Sequence, residues 1–230
     1  GAAVMPLINM VDTVVVMRRL QNIGFSIQES TSLSGQLQGM AATLVNLPQV
    51  LTVALATSIV PVISESVATN DWKGVGSDVK SVLRVALLIG LPASVGLAVL
   101  SSPIMIMLFP EEPASAGRVL LFLAFAVTFL APLQALTGVL QGLGKPDIPV
   151  KNLIIGSGFK FVVTYILTGI PSLNVVGAAI GTVVAYFVAF SLNFRAVKKA
   201  TKVTFDAQQF LIKPLISVGS MGIVVYIFYR

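Results

Sequence analysis

The chain has 230 residues, of which 56% carry apolar side chains and only 10% are charged, where a water-soluble domain carries roughly 25% charge. So thin a charged coat cannot cover a globule of this size in water, and most of the surface is expected to face lipid. With no His and no Cys, zinc sites built on those ligands, cysteine nucleophiles, Ser-His-Asp triads, haem, iron–sulfur ligation and disulfides are excluded within the chain.

A bilayer core of about 30 Å takes ~20 apolar residues as helix, and seven stretches reach that length. The first runs from the start to about Met17. The second covers Gln36–Ile63, the third Val79–Leu100 and the fourth Ala114–Leu140. The fifth is Ile148–Gly169, the sixth Val176–Ala196 and the seventh Phe210–Tyr229. The runs are too long and too evenly apolar for the alternating ~10-residue strands of a membrane barrel. The expected fold class is an all-α polytopic membrane helix bundle.

Short connections join these runs, and none has room for a soluble domain. Residues 18–35 form the first loop, and residues 64–78 the second. Within Ser64–Arg84, Val75, Val79, Val82 and Leu83 fall at helical spacing and Trp72 suits an interface, which predicts a short amphipathic helix on the membrane surface. Both chain ends fall inside apolar runs, which predicts that the chain is part of a larger membrane protein with a further helix after Arg230.

Charge sets the direction. Ten of the fifteen basic residues lie on one set of alternate loops: Lys73, Lys80, Arg84, Lys145, Lys151, Arg195, Lys198, Lys199, Lys202 and Lys213. Arg18, Arg19, Arg118 and Arg230 lie on the other set, and Lys160 lies within a span. The positive-inside rule makes the first set cytoplasmic. The net charge of +6 is therefore read as topology, and nucleic acid is not an expected partner.

Several residues interrupt the apolar runs. Pro6, Pro48, Pro61, Pro92 and Pro132 lie within or near the ends of spans; each is either a packing kink or a point of movement. Asp12 lies about five residues from the outer end of its helix, roughly 8 Å deep, and Lys160 about nine residues, roughly 13 Å. Charges at such depth cost roughly 2.5–3.5 kcal/mol near a helix centre. Either Lys160 snorkels and Asp12 caps, or the two pair or share a wet cavity that takes substrate or a coupling cation.

Thr43, Asn46 and Gln49 share one side of the second span. Asn152, Gly156, Lys160 and Thr164 form a stripe at a spacing of four on the fifth, expected to line the same space as Lys160 unless it serves helix packing. Gln134 and Gln141, seven apart, share a face of the fourth. Catalysis has little support. Glu65, Asp71 and Asp78 stand beside Lys73 and Lys80 as a solvated face, and QGLGKP lacks the GxxxxGK[ST] order of a phosphate loop.

Three runs carry a family resemblance. GMAATLVNLPQVLTVALATSIVPVISESVATND is similar to the eighth helix and following loop of the SpoVB-like flippases, of the multidrug/oligosaccharidyl-lipid/polysaccharide exporter superfamily. LLIGLPASVGLAVLSSPIMIMLF resembles their next helix and its outer re-entrant piece. TGVLQGLGKPDIPVKNLIIG, with Lys160 downstream, resembles their tenth and eleventh helices.

The resemblance implies a 14-helix protein of the bacterial cytoplasmic membrane, built as two six-helix lobes, of which this chain is the C-terminal half. Residues 1–197 would be the second lobe, and residues 198–230 a cytoplasmic linker with one additional helix. The implied function is alternating-access flipping of an undecaprenyl-pyrophosphate-linked cell-wall saccharide such as lipid II, in peptidoglycan or polysaccharide synthesis. It is not an enzymatic function, and it implies no cofactor beyond a coupling cation.

The implied partners are the lipid-linked saccharide, membrane lipid and the first lobe. Asp12 matches an Asp in the seventh helix of MurJ-type members. Their eighth helix carries an Arg and a Glu where this chain has Thr43 and Asn46. The basic groups left to meet a pyrophosphate are Lys160, Arg18 and Arg19, or those of the first lobe. The candidate substrate-binding residues are thus Lys160, Asp12, Asn46, Thr43, Gln49, Asn152, Arg18 and Arg19. The rival readings are a cation-coupled multidrug exporter of the same superfamily and a non-transporting scaffold for cell-wall synthesis.

Overall fold

The structure, a computed structural model, describes residues 4–110, 113–206 and 208–229, and no strand occurs among them. Glu111, Glu112 and Arg230 lie outside the described residues. The helices are α1 (Val4–Asn22), α2 (Ile27–Gly35), α3 (Ala42–Ala68), α4 (Trp72–Val99), α5 (Ser101–Leu108), α6 (Pro113–Gly142), α7 (Asp147–Thr168), α8 (Val176–Thr201) and α9 (Lys213–Tyr229). Five stretches are long and apolar enough to cross a membrane: Ile27–Ala68, Trp72–Val99, Ser115–Gly142, Asp147–Thr168 and Val176–Thr201. α9, at 17 residues, is shorter.

Two expected loops are helical. The first shrinks to a tight turn, in which Gly24 takes a left-handed φ of +103° that a side chain would strain. Ser26 then opens α2 with a capping box: its side chain accepts from the Glu29 amide while the Glu29 carboxylate accepts from the Ser26 amide. From there the helix runs without a break into α3, through a π-helical stretch at Gln36–Ala41. The expected surface helix around Trp72 is the opening of α4. Asp71 caps it by accepting from the Gly74 amide. Its apolar face, Val75, Val79, Val82 and Leu83, is buried against the other helices instead of lying on a membrane surface.

α6 is the central post, packed by α3, α4, α5 and α8. It threads two buried clusters. One, towards the α1–α2 end, holds Leu20, Leu37, Met105, Leu120 and Val127. The other, towards the α3–α4 turn, holds Ile63, Val79, Leu136, Leu140 and Val197. Lipid offers no hydrophobic drive for helices to associate, so close backbone approach has to supply the contact. A Cβ on Gly142 would fall 2.8 Å from the Val60 carbonyl oxygen, and one on Gly90 would fall 2.6 Å from the Ala131 Cβ. Helix α3 runs on through Pro48 and Pro61, α4 through Pro92 and α6 through Pro132.

Large apolar side chains remain exposed along the outside, including Ile154, Phe159, Val162 and Ile166 on α7, and Ile216, Ile223 and Phe228 on α9. That surface suits hydrocarbon, as composition predicts. Polar contacts tie the helices together at both ends of the bundle. Arg118 donates to the Ser172 carbonyl at one end (3.3 Å), and Ser64 donates to the Gly142 carbonyl at the other (3.1 Å).

Candidate functional site

Helix α1 packs on the rest of the bundle through the buried Val16 and Leu20 and through a set of polar contacts. The Lys160 ammonium on α7 lies 2.8 Å from an Asp12 carboxylate oxygen, and the two side chains are only 17% and 11% exposed. The pairing branch of the sequence reading is therefore the one observed. The cost of each charge at this depth is offset by the other. One residue on, Thr13 Oγ1 donates to Gln38 Oε1 (3.1 Å) and accepts from Gln38 Nε2 (2.8 Å). Asp12 thus ties α1 to α7, and its neighbour ties α1 to the π-helical stretch leading into α3.

Arg19 closes the end of the same seam nearest the α1–α2 turn. Its Nε donates to the Tyr165 carbonyl at 3.0 Å, and its guanidinium lies 4.4 Å over the Tyr165 ring. A Cβ on Gly169 would meet Arg19 Nε at 2.7 Å, so the glycine makes room for this stack. Arg18 is exposed. Of the two arginines, Arg19 is thus engaged in holding α1 against α7.

The α7 stripe is taken up by contacts with neighbouring helices. It forms the seam with α8. Gly156 lies so close that an added Cβ would fall 2.6 Å from the Ala185 carbonyl oxygen, and Thr164 is fully buried against Gly181. Asn152 donates to Asn193 Oδ1 (2.8 Å), and Asn193 in turn donates to Thr137 Oγ1 (3.2 Å). Small and polar residues at a spacing of four serve packing and pore lining equally well in sequence; here the glycines decide for packing.

The α3 row divides. Thr43 and Asn46 are exposed, and the Thr43 hydroxyl donates to the Gly39 carbonyl. Gln49 instead turns into a cleft of about 170 Å³ between α3 and α7, backed by α6 and α8. Gln134, Thr137 and Gln141 of α6 and Tyr186 of α8 line it with Gln49. Sequence reasoning placed Gln134 and Gln141 on one face but did not join them to Gln49. It missed Thr13, Gln38, Asn193 and Tyr186. The first two are single polar residues with no spacing pattern to mark them, and the last two fall in a helix whose Gly/Ala run reads as plain packing.

Among the described residues no group of three Asp or Glu side chains is placed to hold a metal ion. Residues 10–229 match the lipid II flippase MurJ family. The chain belongs to that family.

Stage V sporulation protein B of Bacillus subtilis is 28% identical over 200 residues, covering 86% of this chain and 38% of that protein. The lipid II flippase MurJ of the same organism is 24% identical over 197 residues, covering 84% and 36%. A solved structure of lipid II flippase MurJ in an inward closed conformation superposes with a TM-score of 0.62 at 19% identity, over 96% of this chain and 45% of that one. The chain thus spans less than half the length of these MurJ-family relatives. The fold is that of a polytopic helical membrane protein. The MurJ family is one of transporters, not enzymes, and this is a multi-pass protein of the bacterial cytoplasmic membrane.

Proposed function

We propose that this chain forms the second lobe of an alternating-access flippase that moves an undecaprenyl-pyrophosphate-linked cell-wall saccharide, such as lipid II, to the outer leaflet. Residues 1–197 make the lobe, and residues 198–230 a cytoplasmic linker and one further helix. The observation that carries the reading is the uncovered polar side of α3 in a chain of the MurJ family. Thr43 and Asn46 stand exposed there, and Gln49 opens into the cleft beside them. In the whole protein the first lobe would face this side, and the headgroup would pass between the lobes while its polyprenyl tail stays in lipid.

Pyrophosphate needs cationic partners. In this lobe Lys160 and Arg19 are engaged by Asp12 and Tyr165, which leaves Arg18 and the first lobe as the nearer sources of free positive charge. Lys160, Asp12, Asn46, Thr43, Gln49, Asn152, Arg18 and Arg19 remain the proposed substrate-side residues, with Asp12, Lys160, Asn152 and Arg19 acting through the geometry they hold.

A second reading has one observation behind it. The probable multidrug resistance protein NorM of Streptococcus pneumoniae is 24% identical over 155 residues. A drug exporter coupled to cations would draw on acidic groups in the membrane. Asp12 is the deep carboxylate here, and it is neutralised by Lys160.

The full-length protein in vesicles, given a fluorescent undecaprenyl-pyrophosphoryl saccharide, tests the choice. Exposure of the labelled headgroup to an impermeant quencher should rise with time in vesicles that hold the protein and stay flat without it. Drug efflux from cells with no headgroup transfer in vesicles would instead support the exporter.

A further inference from the structure

The cleft between α3 and α7 is unlike the rest of the lobe. Its polar lining consists of three carboxamides (Gln49, Gln134 and Gln141), the Thr137 hydroxyl and the Tyr186 phenol, and its remaining walls are Leu and Val side chains and prolines. Among the described residues no charged side chain lines it. Thr137 is held in place, donating to the Leu133 carbonyl (2.8 Å) and accepting from Asn193. The three carboxamides and the Tyr186 hydroxyl make no hydrogen bond to protein among the described residues. Gln49, Gln134 and Tyr186 are half-buried and Gln141 is exposed, so four polar groups with spare hydrogen-bonding capacity face the cleft and are open to a ligand.

Neutrality limits what that can be. An anion such as pyrophosphate would call for Arg or Lys in the lining. A hard cation would call for carboxylates. Carboxamides, each with two donors and an acceptor, match a neutral ligand that offers both kinds of group at short spacing: the hydroxyls and acetamido groups of a sugar. Gln134 and Gln141 are seven residues apart, about 10 Å along α6, a span suited to sugar units lying along the helix. The leucine and proline walls suit the C–H faces of sugar rings.

Resting on the flippase reading above, we propose that this cleft is a saccharide subsite, which takes the neutral sugar part of the lipid-linked headgroup while the pyrophosphate is held elsewhere.

The test compares two lipids on the full-length protein in nanodiscs: undecaprenyl pyrophosphate without sugar, and the same lipid carrying the N-acetylated disaccharide. Gln141 is exposed at the rim of the cleft, so Gln141→Leu leaves the packed interior alone. Gln134→Leu probes the deeper position, with thermal melting as a check on folding. Each variant should bind the disaccharide lipid about tenfold more weakly, the equivalent of one or two hydrogen bonds. Affinity for the sugar-free lipid should be unchanged.

Equal losses for both lipids, or no loss for either in a folded variant, would overturn the saccharide assignment and leave a water-filled cleft. Wild-type protein that binds neither lipid would overturn the flippase reading itself.

Discussion

Lys160 and Asp12 show how little a single residue type says before its partner is known. At the depth of a span, each charge alone suggests a ligand. Together at 2.8 Å they form a neutral clamp between α1 and α7. Removing one partner leaves the other charged and covered, which for a buried pair costs about 3–5 kcal/mol. Lys160→Met and Asp12→Asn should therefore each lower the melting temperature in detergent, by the equivalent of about 3 kcal/mol given the residual exposure. The double variant carries no net charge defect and should recover most of that loss, so a double-mutant cycle returns a large coupling term. Lys160→Arg keeps the charge and should fall between. If the recovered double variant still flips lipid, the clamp is structural; if it is stable but inactive, the charges take part in transport. Single variants that melt like wild type would show that the pair contributes nothing.

At the scale of elements, the spans were legible because an apolar run of bilayer length has few alternatives. Their edges were not. The turn at Gly24 and the Ser26–Glu29 capping box were present in the sequence, but the polar stretch 26–35 looked like a loop when judged on hydropathy alone. The rotation of α7 was hidden for a different reason. A stripe of Asn152, Gly156, Lys160 and Thr164 fits a pore wall and a helix seam alike, and only the partner on α8 separates them. That partner makes a prediction. Gly156 lies close enough to the Ala185 carbonyl that a Cβ would fall at 2.6 Å, so Gly156→Leu has to push α7 off α8. It should cost about 1–3 kcal/mol or more, seen as lower melting temperature and lower membrane abundance. Gly158, with nothing within 4 Å of an added Cβ, should accept Gly158→Leu with little change. Equal effects at the two glycines would contradict the seam.

For the whole molecule, the testable quantity is orientation. The end of the bundle that holds the α3–α4 and α6–α7 turns and the close of α8 also carries Lys73, Lys145, Lys198, Lys199 and Lys202. The opposite end holds the α1–α2 and α7–α8 turns and carries Arg18, Arg19 and Arg118. Basic residues in short loops resist translocation, so the richer end belongs in the cytoplasm. The chain contains no cysteine, so single cysteines can report on each end without background from it. Asn22, Ser172, Lys73, Lys145 and Lys199 are all exposed and should tolerate the change. In intact cells an impermeant maleimide should label cysteine at positions 22 and 172, and should reach positions 73, 145 and 199 only after lysis. Labelling of position 73 in intact cells, with none at 22, would reverse the molecule. It would also place the glutamine cleft, which opens towards the α6–α7 turn through Gln141 and Pro146, on the outer side of the membrane. With the lysine-rich end in the cytoplasm, the cleft would lie on the cytoplasmic side, where the proposed lipid-linked headgroup would enter.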